Sequence, residues 1–363
     1  TVTGVQTCAL PISCRAFTMV FSIGSRRRPI DPHSHVSLQA PQPMKIAHIA
    51  IVTPRRCGLY ETTRELVMGL RELGLDSRIV DPQPAKNPVG WNGTEDRGVP
   101  VDSLEWAKGA DVLVNHSGLG ELEKLGKPAI HIAHGRPRHS FLSEVSGGTP
   151  IYSYHFKNNQ DPNLKAVVTF WHQHKPYLDV MYPDKPVHHV QSPVDLCFWS
   201  PGGTSYDFAG QGGGVNIVCT DAFRDDIDAY DPINAYALWA KQNGINSKLH
   251  IYGKPPSMNG WGALIRRVQE TGKMGIVQGW ASELQNVYRA ADLVLTAHTI
   301  DVRTVREAMA CGCPVLRVAD IGDTARIDQT LKQNRHEVRN QAERLYNMSE
   351  TAKQFLEVIK CNL

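Results

Sequence analysis

A repeated alternation of short apolar runs with helix-like segments is the feature that most constrains how this chain can fold. The first apolar run, residues 45–52, ends at Thr53 and Pro54, and leucines then recur at helical spacing until Gly74. An apolar run without alternating polar residues is typical of a strand buried on both faces, and glycine commonly follows the end of a helix. We therefore predict a strand, a loop and a helix that open a parallel sheet.

The same alternation continues along the chain. We predict further strands at residues 77–81, 111–117, 128–135 and 165–170, and, after a glycine-rich segment, at residues 215–220, 247–253, 275–280, 292–298 and 314–320. One helix is expected to have Asp231 at its cap and Pro232 at its first position and to close at Gly244. Others are expected to begin near Gly260, Ser282 and Thr304. Strands that alternate with helices in this way favour doubly wound α/β domains.

Composition along the chain predicts the domain boundaries. Residues 1–43 show no strand or helix period, and their opening TVTGVQTCALPIS looks like translated sequencing-adapter readthrough, so we expect Met44 to be the true start and the leader to lie outside the fold. Residues 44–200 are expected to form the first domain and residues 215–345 the second. Residues 201–214 hold six glycines, which is typical of a linker or loop. A helix at 346–363 could cross back to the first domain.

Charge and cysteine usage exclude several classes of protein. The net charge is +3, but residues beyond the leader carry 35 basic and 35 acidic side chains. A nucleic-acid-binding domain normally carries a basic face, because phosphate contacts supply most of its affinity, so we expect no nucleic-acid partner. The eight cysteines form no CxxC pairs, which disfavours a zinc site and fits a reducing, cytoplasmic setting.

The apolar run nearest the N-terminus gives no sign of a membrane segment. Residues 16–23 are too few to span a bilayer, and the basic cluster follows the run instead of preceding it as in a signal peptide. We therefore expect neither a signal peptide nor an integral membrane segment.

Candidate site residues of the first domain lie where strands end. Open parallel sheets bind ligands at the carboxyl ends of their strands, and two such domains would form a cleft there. Gly58 precedes a helix, where a bare backbone could approach a phosphate, although a tight turn explains it equally well. His134 ends a strand and could bond a sugar hydroxyl or assist proton transfer, or be structural. The remaining histidines lack metal-ligand spacing, and we expect no metal site.

The second domain offers cations at equivalent positions. Arg224 follows the first strand of this domain, and its guanidinium could pair with a diphosphate through its fork of donors. A salt bridge to a neighbouring aspartate is the alternative. Gly253 and Lys254 end the next strand, although a solvated lysine is the commoner outcome at such a position.

The segment from His298 to Leu316 is the richest in candidate residues. Thr304 and Glu307 have capping-box spacing, so Glu307 could simply bond the first turn of its helix. Alternatively, the helix N-terminus and Arg303 would hold a phosphate, and Glu307 would accept hydrogen bonds from ribose hydroxyls.

Four segments resemble the group-1, family-four glycosyltransferases of the GT-B fold. The segment EAMACGCPV, which begins at Glu307, resembles the second acidic residue of that family with its continuation EAMAxGxPV. VQSPVDLCFWSP at 190–201 is similar to the NGVDxxxFxP segment, and QGWASELQNVYRAADLVL at 278–295 to GxVxxxELxxLYxxADVxV. PAIHIAHG places His134 on the strand-end histidine of the family. The resemblance extends from about residue 44 to residue 359.

The resemblance implies an α/β protein of the GT-B fold, with two Rossmann-like doubly wound domains that face each other across a cleft. It implies a retaining, metal-independent hexosyl transfer without a cofactor. A nucleotide sugar such as a UDP- or GDP-sugar would lie on the C-terminal domain. The acceptor on the N-terminal domain would be a glycan, a lipid-linked saccharide or a protein side chain.

The resemblance, together with the positions of the candidates at strand ends and helix starts, gives each candidate residue an expected role. His134 and Arg224 would be catalytic, with Arg224 stabilising the diphosphate leaving group. The donor-binding residues would be Gly58, Gly253, Lys254, Trp280, Asp301, Arg303, Thr304 and Glu307.

Two positions depart from the family pattern. The first acidic residue of the family, eight positions before Glu307, falls on Thr299, for which Asp301 could substitute. The family lysine that follows Arg224 is absent from RDDIDAYD, and Arg303 or Lys254 could supply its charge. These departures keep two alternatives open: a catalytically inactive nucleotide-sugar-binding protein of the same fold, and a nucleotide-sugar epimerase.

Overall fold

Two separate sheets organise the part of the chain that the computed structural model describes. The described residues are 42–50, 58–82, 95–116, 125–148, 150–220, 229–253, 259–279 and 281–363. Residues Pro43–Leu363 form one unit of contacts, and both sheets belong to it.

The first sheet has eight strands in the order β3-β4-β2-β1-β5-β6-β7-β8. All neighbours are parallel except the short β3 and β4, which are antiparallel. The strand order reverses direction between β1 and β5, and this switch point is where ligands bind in open parallel sheets. The strands are β1 (Lys45–Ile49), β2 (Asp76–Val80), β3 (Glu95–Asp96), β4 (Val99–Asp102), β5 (Val112–Asn115), β6 (Ala129–Ala133), β7 (Leu164–Thr169) and β8 (Val187–His189).

The second sheet has five strands, all parallel, in the order β11-β10-β9-β12-β13. Its switch point lies between β9 and β12, so the loop after β12 leaves the sheet at its ligand-binding edge. The strands are β9 (Val215–Cys219), β10 (Ser247–Tyr252), β11 (Met274–Gln278), β12 (Leu293–Thr296) and β13 (Val315–Arg317).

Helices connect the strands of both sheets. They are α1 (Gly58–Glu72), α2 (Leu104–Ala107), α3 (Pro137–Val145), α4 (Ile151–Asn159), α5 (Lys175–Met181), α6 (Tyr230–Asn243), α7 (Asn259–Glu270), α8 (Leu284–Ala290), α9 (Arg303–Ala310), α10 (Ile327–Leu331), α11 (Arg335–Leu345) and α12 (Met348–Asn362). Among the described residues, no helix is both long and apolar enough to cross a membrane.

The last helix packs against the first sheet. Phe355 and Ile359 of α12 are fully buried in one core cluster with Ile46 of β1. A Cβ atom on Gly69 of α1 would lie only 2.9 Å from the Cβ of Ala352, so the missing side chain lets the two helices approach closely. The chain therefore returns to the first sheet after it has completed the second.

A linking segment, residues 190–200, leads from β8 toward the second sheet and is held by an arginine of α11. Arg339 donates hydrogen bonds to the carbonyl oxygens of Trp199 (2.6 Å), Leu196 (3.0 Å) and Ala310 (2.5 Å). Because Ala310 is the last residue of α9, these bonds fix the segment to that helix.

The predicted α/β architecture and its ten predicted strands are confirmed. Gly244 closes α6 with a φ of 61°, as predicted. The predicted start of α6 is wrong, because the helix begins at Tyr230 with Ala229 at its cap, which places Asp231 in the first turn. A carboxylate in the first turn is still favourable, since it lies near the positive end of the helix dipole.

Candidate functional site

The carboxyl ends of the two sheets meet through loop residues that follow their strands. Arg136, in the loop after β6, donates a hydrogen bond from Nη2 to Oγ1 of Thr299, in the loop after β12 (3.1 Å). Trp171, after β7, donates from Nε1 to the carbonyl oxygen of Asp301 (3.2 Å). The ligand-binding edges of both sheets therefore border one common region.

Helices α1 and α9 approach each other at their first residues in this region. A Cβ atom on Gly58 would lie 3.9 Å from the Cβ of Arg303, so a side chain at Gly58 would face this arginine. Helix N-termini favour anions, because their first amide groups lack intrahelical partners. The two predicted residues Gly58 and Arg303 are thus brought together.

Arg303 is the centre of a buried group of charges between these helices. Its Nη1 and Nη2 each donate to a carboxylate oxygen of Glu65 of α1 at 2.7 Å, and Nε lies 2.5 Å from Oε1 of Glu307. Burial opposes the charge of Arg303, but the nearby carboxylates of Glu65 and Glu307 outweigh it and raise the pKa of the guanidinium. The fork that we expected to hold a phosphate is occupied by Glu65 in this structure.

Glu307 lies one turn into α9 and is only 5% exposed. Burial raises the pKa of its carboxyl to about 7, and the neighbouring carboxylates of Glu65 and Glu61 add to this rise, whereas Arg303 and Arg306 oppose it. Near neutral pH the group therefore exists in both forms and can accept or donate a hydrogen bond.

The capping interpretation of Glu307 is wrong. The cap of α9 is Val302, which makes no side-chain hydrogen bond there, and Thr304 lies inside the helix. The partner of Glu307 is Arg303, so its carboxyl belongs to the interface between α1 and α9.

Two further charged residues of the cluster were not predicted from the sequence. Arg306 is 2% exposed and donates to Oγ of Ser192 and to the carbonyl oxygen of Pro193 (3.1 Å) in the linking segment. Glu65, which binds Arg303, also accepts the amide hydrogen of Asp195 at 3.0 Å. In the sequence, Glu65 shares its helix face with Glu61, Thr62 and Glu72, a pattern typical of a surface position, so nothing there indicates its buried role.

His134 follows β6 and is partly exposed at the same edge of the first sheet. Its Nε2 lies 2.7 Å from Nδ1 of His116, and its ring packs edge-on against Phe170. Burial and the nearby guanidinium of Arg306 lower the pKa of His134 to about 3. The ring is therefore neutral at physiological pH, which suits a hydrogen-bonding role.

The loop that carries the departures from the family pattern is tied down by Arg317. The carboxylate of Asp301 pairs with this guanidinium, and Arg317 Nη1 donates to the carbonyl oxygen of Thr299 at 3.3 Å. The carboxylate that we expected to replace the missing acid therefore already has a cationic partner.

The other predicted residues are less central or are not described. Thr304 is partly exposed in the first turn of α9, and Gly253 follows β10, where its amide donates to the carbonyl oxygen of Gln278 (2.9 Å). Arg224, Lys254 and Trp280 lie outside the described residues. Within the described ranges, no group of three or more His, Cys, Asp or Glu residues could hold a metal ion.

Comparisons of sequence and of structure give different results. No protein-family model matches the chain, and no curated protein sequence matches it. In structure it is similar to HepE of Anabaena in complex with UDP-glucose, with 11% identity, a TM-score of 0.64, and coverage of 88% of this chain and 100% of HepE.

Two more solved structures share this arrangement. A glycosyltransferase from Rickettsia africae has 13% identity and a TM-score of 0.64, with 88% of this chain and 98% of the other covered. A protein from Listeria monocytogenes, assigned as a UDP-N-acetylglucosamine 2-epimerase, has 14% identity and a TM-score of 0.55, with 88% and 96% covered. At these identities the likeness concerns the fold, and it confirms that this chain has the GT-B fold.

Proposed function

We propose that this protein is a glycosyltransferase that binds a nucleotide sugar between its two sheets and transfers the sugar to an acceptor. The observation that carries the proposal is the meeting of strand-end residues from both sheets, with Gly58 and His134 on one side and Arg303 and Glu307 on the other. The fold neighbour HepE was solved with UDP-glucose, which supports a uridine nucleotide as the first candidate.

Glu307 is the proposed contact to the ribose of the donor. Its buried carboxyl lies one turn into α9, beside the helix N-terminus that faces Gly58, and a carboxylate can accept hydrogen bonds from two hydroxyl groups. Arg303 would reach a phosphate only after its bonds to Glu65 break. We therefore assign the diphosphate chiefly to the open amides at the helix ends and to Arg224, with Lys254 and Trp280 as further donor contacts.

Charge stabilisation by side chains makes a metal ion unnecessary in this proposal. A leaving diphosphate carries negative charge that a guanidinium can neutralise in the transition state. We propose metal-independent transfer with retention of the sugar configuration, following the family that the sequence resembles. The acceptor would bind on the side of the first sheet, near His134.

Two alternatives rest on specific observations. The fold neighbour from Listeria monocytogenes favours a nucleotide-sugar epimerase, which would need no acceptor. Thr299 in place of an acidic residue favours a protein that binds the donor without catalysis. Fold analogy does not separate the three activities, whereas their products do.

The test is an analysis of products after the full chain is incubated with UDP-, GDP- and ADP-linked hexoses, first without and then with candidate acceptor glycans. We expect slow release of the free nucleotide diphosphate from one donor and faster release when an acceptor is present. Glu307→Gln should slow this release at least about tenfold at subsaturating donor, whereas Glu357→Gln, on the exposed face of α12, should not change it.

Each other result selects a different function. An epimerised nucleotide sugar without release of nucleotide would assign the epimerase. Binding of a nucleotide without any turnover, with or without acceptors, would assign the inactive binding protein. No binding of any of the three nucleotides would contradict all three functions.

A further inference from the structure

Three histidines from neighbouring strands of the first sheet form a hydrogen-bonded chain. Nδ1 of His48, in β1, lies 2.9 Å from Nε2 of His116, which directly follows β5. Nδ1 of His116 lies 2.7 Å from Nε2 of His134 and 2.9 Å from Oγ1 of Thr63 in α1. The three hydrogen-bonded histidines thus extend from the core of the sheet to the candidate site.

All three rings are held in their neutral forms. Burial lowers the pKa of His48 to about 3 and that of His116 well below its ordinary value, and the neighbouring histidines add to the shift at His116. At His134 the guanidinium of Arg306 acts in the same direction as burial. A neutral imidazole has one N–H donor and one bare acceptor nitrogen, so the direction of each hydrogen bond fixes a tautomer.

The groups around the three histidines determine the direction in which their hydrogen bonds are donated. The hydroxyl of Thr63 donates to the carbonyl oxygen of Leu59 at 3.0 Å, so its oxygen is left to accept the hydrogen of His116 Nδ1. His116 Nε2 is then bare and accepts from Nδ1 of His48. The Nε2 of His48 is consequently bare as well, and it has no hydrogen-bond partner among the described residues.

The opposite direction is unfavourable. It would place a hydrogen on Nε2 of His48, where the buried atom has no acceptor among the residues described. Buried N–H groups without an acceptor are rare in folded proteins, because the group loses its hydrogen bonds to water and gains none. In the favoured direction, Nε2 of His48 carries no hydrogen, so no buried N–H lacks an acceptor there.

We propose that His116 is a positioning residue that keeps His134 in its Nδ1–H tautomer. The single Nδ1–H of His116 is shared between Oγ1 of Thr63 and Nε2 of His134, which both accept it. The Nε2 of His134 must therefore be bare, and the proton of His134 lies on its other nitrogen. That proton is then available to donate to an oxygen of the bound sugar or phosphate. The role of His134 as a hydrogen-bond donor to the substrate rests on the proposed function. Its tautomer does not depend on that function.

Long-range proton–nitrogen NMR spectra of the imidazole rings test the tautomer in the full chain without any ligand. We expect His134 to be neutral with its proton on Nδ1 between pH 6 and pH 8. Finding the proton on Nε2 in the wild-type protein would overturn the proposal, and this result needs no variant.

Variants of His116 test the positioning role. His116→Leu removes the donor, and we expect His134 to shift toward its Nε2–H form and donor turnover to fall by about ten- to hundredfold at nearly unchanged KM. His116→Asn keeps a donor close to the position of Nδ1 and should restore both the tautomer and most of the turnover. An unchanged tautomer in His116→Leu, or equal losses in the two variants, would overturn the positioning role.

The two proposals fail in different ways. A protein with the expected tautomers that neither binds nor turns over any nucleotide sugar would contradict the proposed function. A protein that turns over its donor with His134 in the Nε2–H form would contradict the positioning role alone.

Discussion

At the scale of single residues, a buried ion pair between α1 and α9 lies at the candidate site. Arg303 is 8% exposed and Glu65 is fully buried, so their paired charges lie away from water. A buried ion pair gains little over apolar packing, but loss of one partner leaves an uncompensated charge and is strongly destabilising. Removal of one partner should therefore lower the free energy of unfolding by a measurable amount.

We predict that Glu65→Ala lowers the free energy of unfolding by about 3–5 kcal/mol, because Arg303 loses its bidentate partner. Urea denaturation measures this change. The control is Glu105→Ala, whose carboxylate pairs with Lys108 on the surface, with side chains 77% and 62% exposed. Its effect should stay below about 1 kcal/mol. Similar losses in the two variants would show that the Arg303–Glu65 pair is not formed.

We also predict that the stability of the protein falls between pH 7 and pH 5 through its buried histidines. The pKa of His48 is about 3 in the fold and ordinarily 6.5, so the unfolded chain takes up a proton first as the pH falls, which favours unfolding. Over this interval His48 accounts for roughly 2 kcal/mol.

Urea denaturation of His48→Leu at both pH values tests this contribution. The variant should lose about 2 kcal/mol less than the wild type between pH 7 and pH 5. Phe355→Leu, which alters the ring packed near His48, removes no titrating group and should keep the pH dependence of the wild type. An equal pH dependence in all three proteins would show that His48 does not titrate as described.

For Arg224 we predict a larger effect on turnover than on binding. Substitution by alanine should reduce kcat about tenfold or more beyond any loss of donor affinity, because in the proposed reaction the leaving diphosphate would gain charge as its bond to the sugar breaks. Steady-state kinetics and direct binding of the donor separate the two effects. Arg267→Ala, at an exposed position of α7, is the control and should change neither. Equal losses of kcat and of affinity would remove the leaving-group role.

At the scale of secondary-structure elements, the contact between α1 and α12 joins the end of the chain to the first sheet. We predict that Gly69→Ala lowers the free energy of unfolding by about 1–3 kcal/mol, because the new Cβ would lie 2.9 Å from Ala352 Cβ and from the carbonyl oxygen of Met348. Thermal or urea denaturation measures the change.

The matched control for Gly69 is another helical glycine. Around Gly262 of α7, the nearest atom to an added Cβ is the flexible end of Arg266, at 3.4 Å. Gly262→Ala should therefore stabilise the protein by up to about 1 kcal/mol, as alanine does in an open helix position. Stabilisation by both substitutions would contradict the close approach of α1 and α12.

Ten strands of the two sheets were predictable because each contains several apolar residues and alternates with helix-like segments. Three short strands were not predicted: β3, β4 and β8 have two, four and three residues, too few to show a period. The start of α6 differed because Asp231 and Pro232 are favourable in the first turn as well as at a cap.

The candidate site was predictable only in part. His134 and Glu307 follow from the rule that ligands bind where parallel strands end, and the structure brings both to the contact between the sheets. Glu65 and His116 were missed because their roles depend on partners 238 and 18 residues away in sequence. No local pattern records such a contact.

At the scale of the whole molecule, the switch points of both sheets face one region, and the last helix closes the chain on the first sheet. In the proposed function, the strand ends of both sheets would surround the nucleotide sugar and exclude water that would hydrolyse it. The central claim is therefore that a nucleotide binds between the two sheets and that Glu307 contributes to its affinity.

Calorimetric titration of the full chain with UDP, GDP and ADP tests this claim most directly. We predict saturable binding of one nucleotide, with UDP the first candidate, and an affinity at least about tenfold lower in Glu307→Gln than in the control Glu357→Gln, since a hydrogen bond to a charged group contributes about 1.5–3 kcal/mol. Absence of binding for all three nucleotides, or equal affinities in the two variants, would contradict the account.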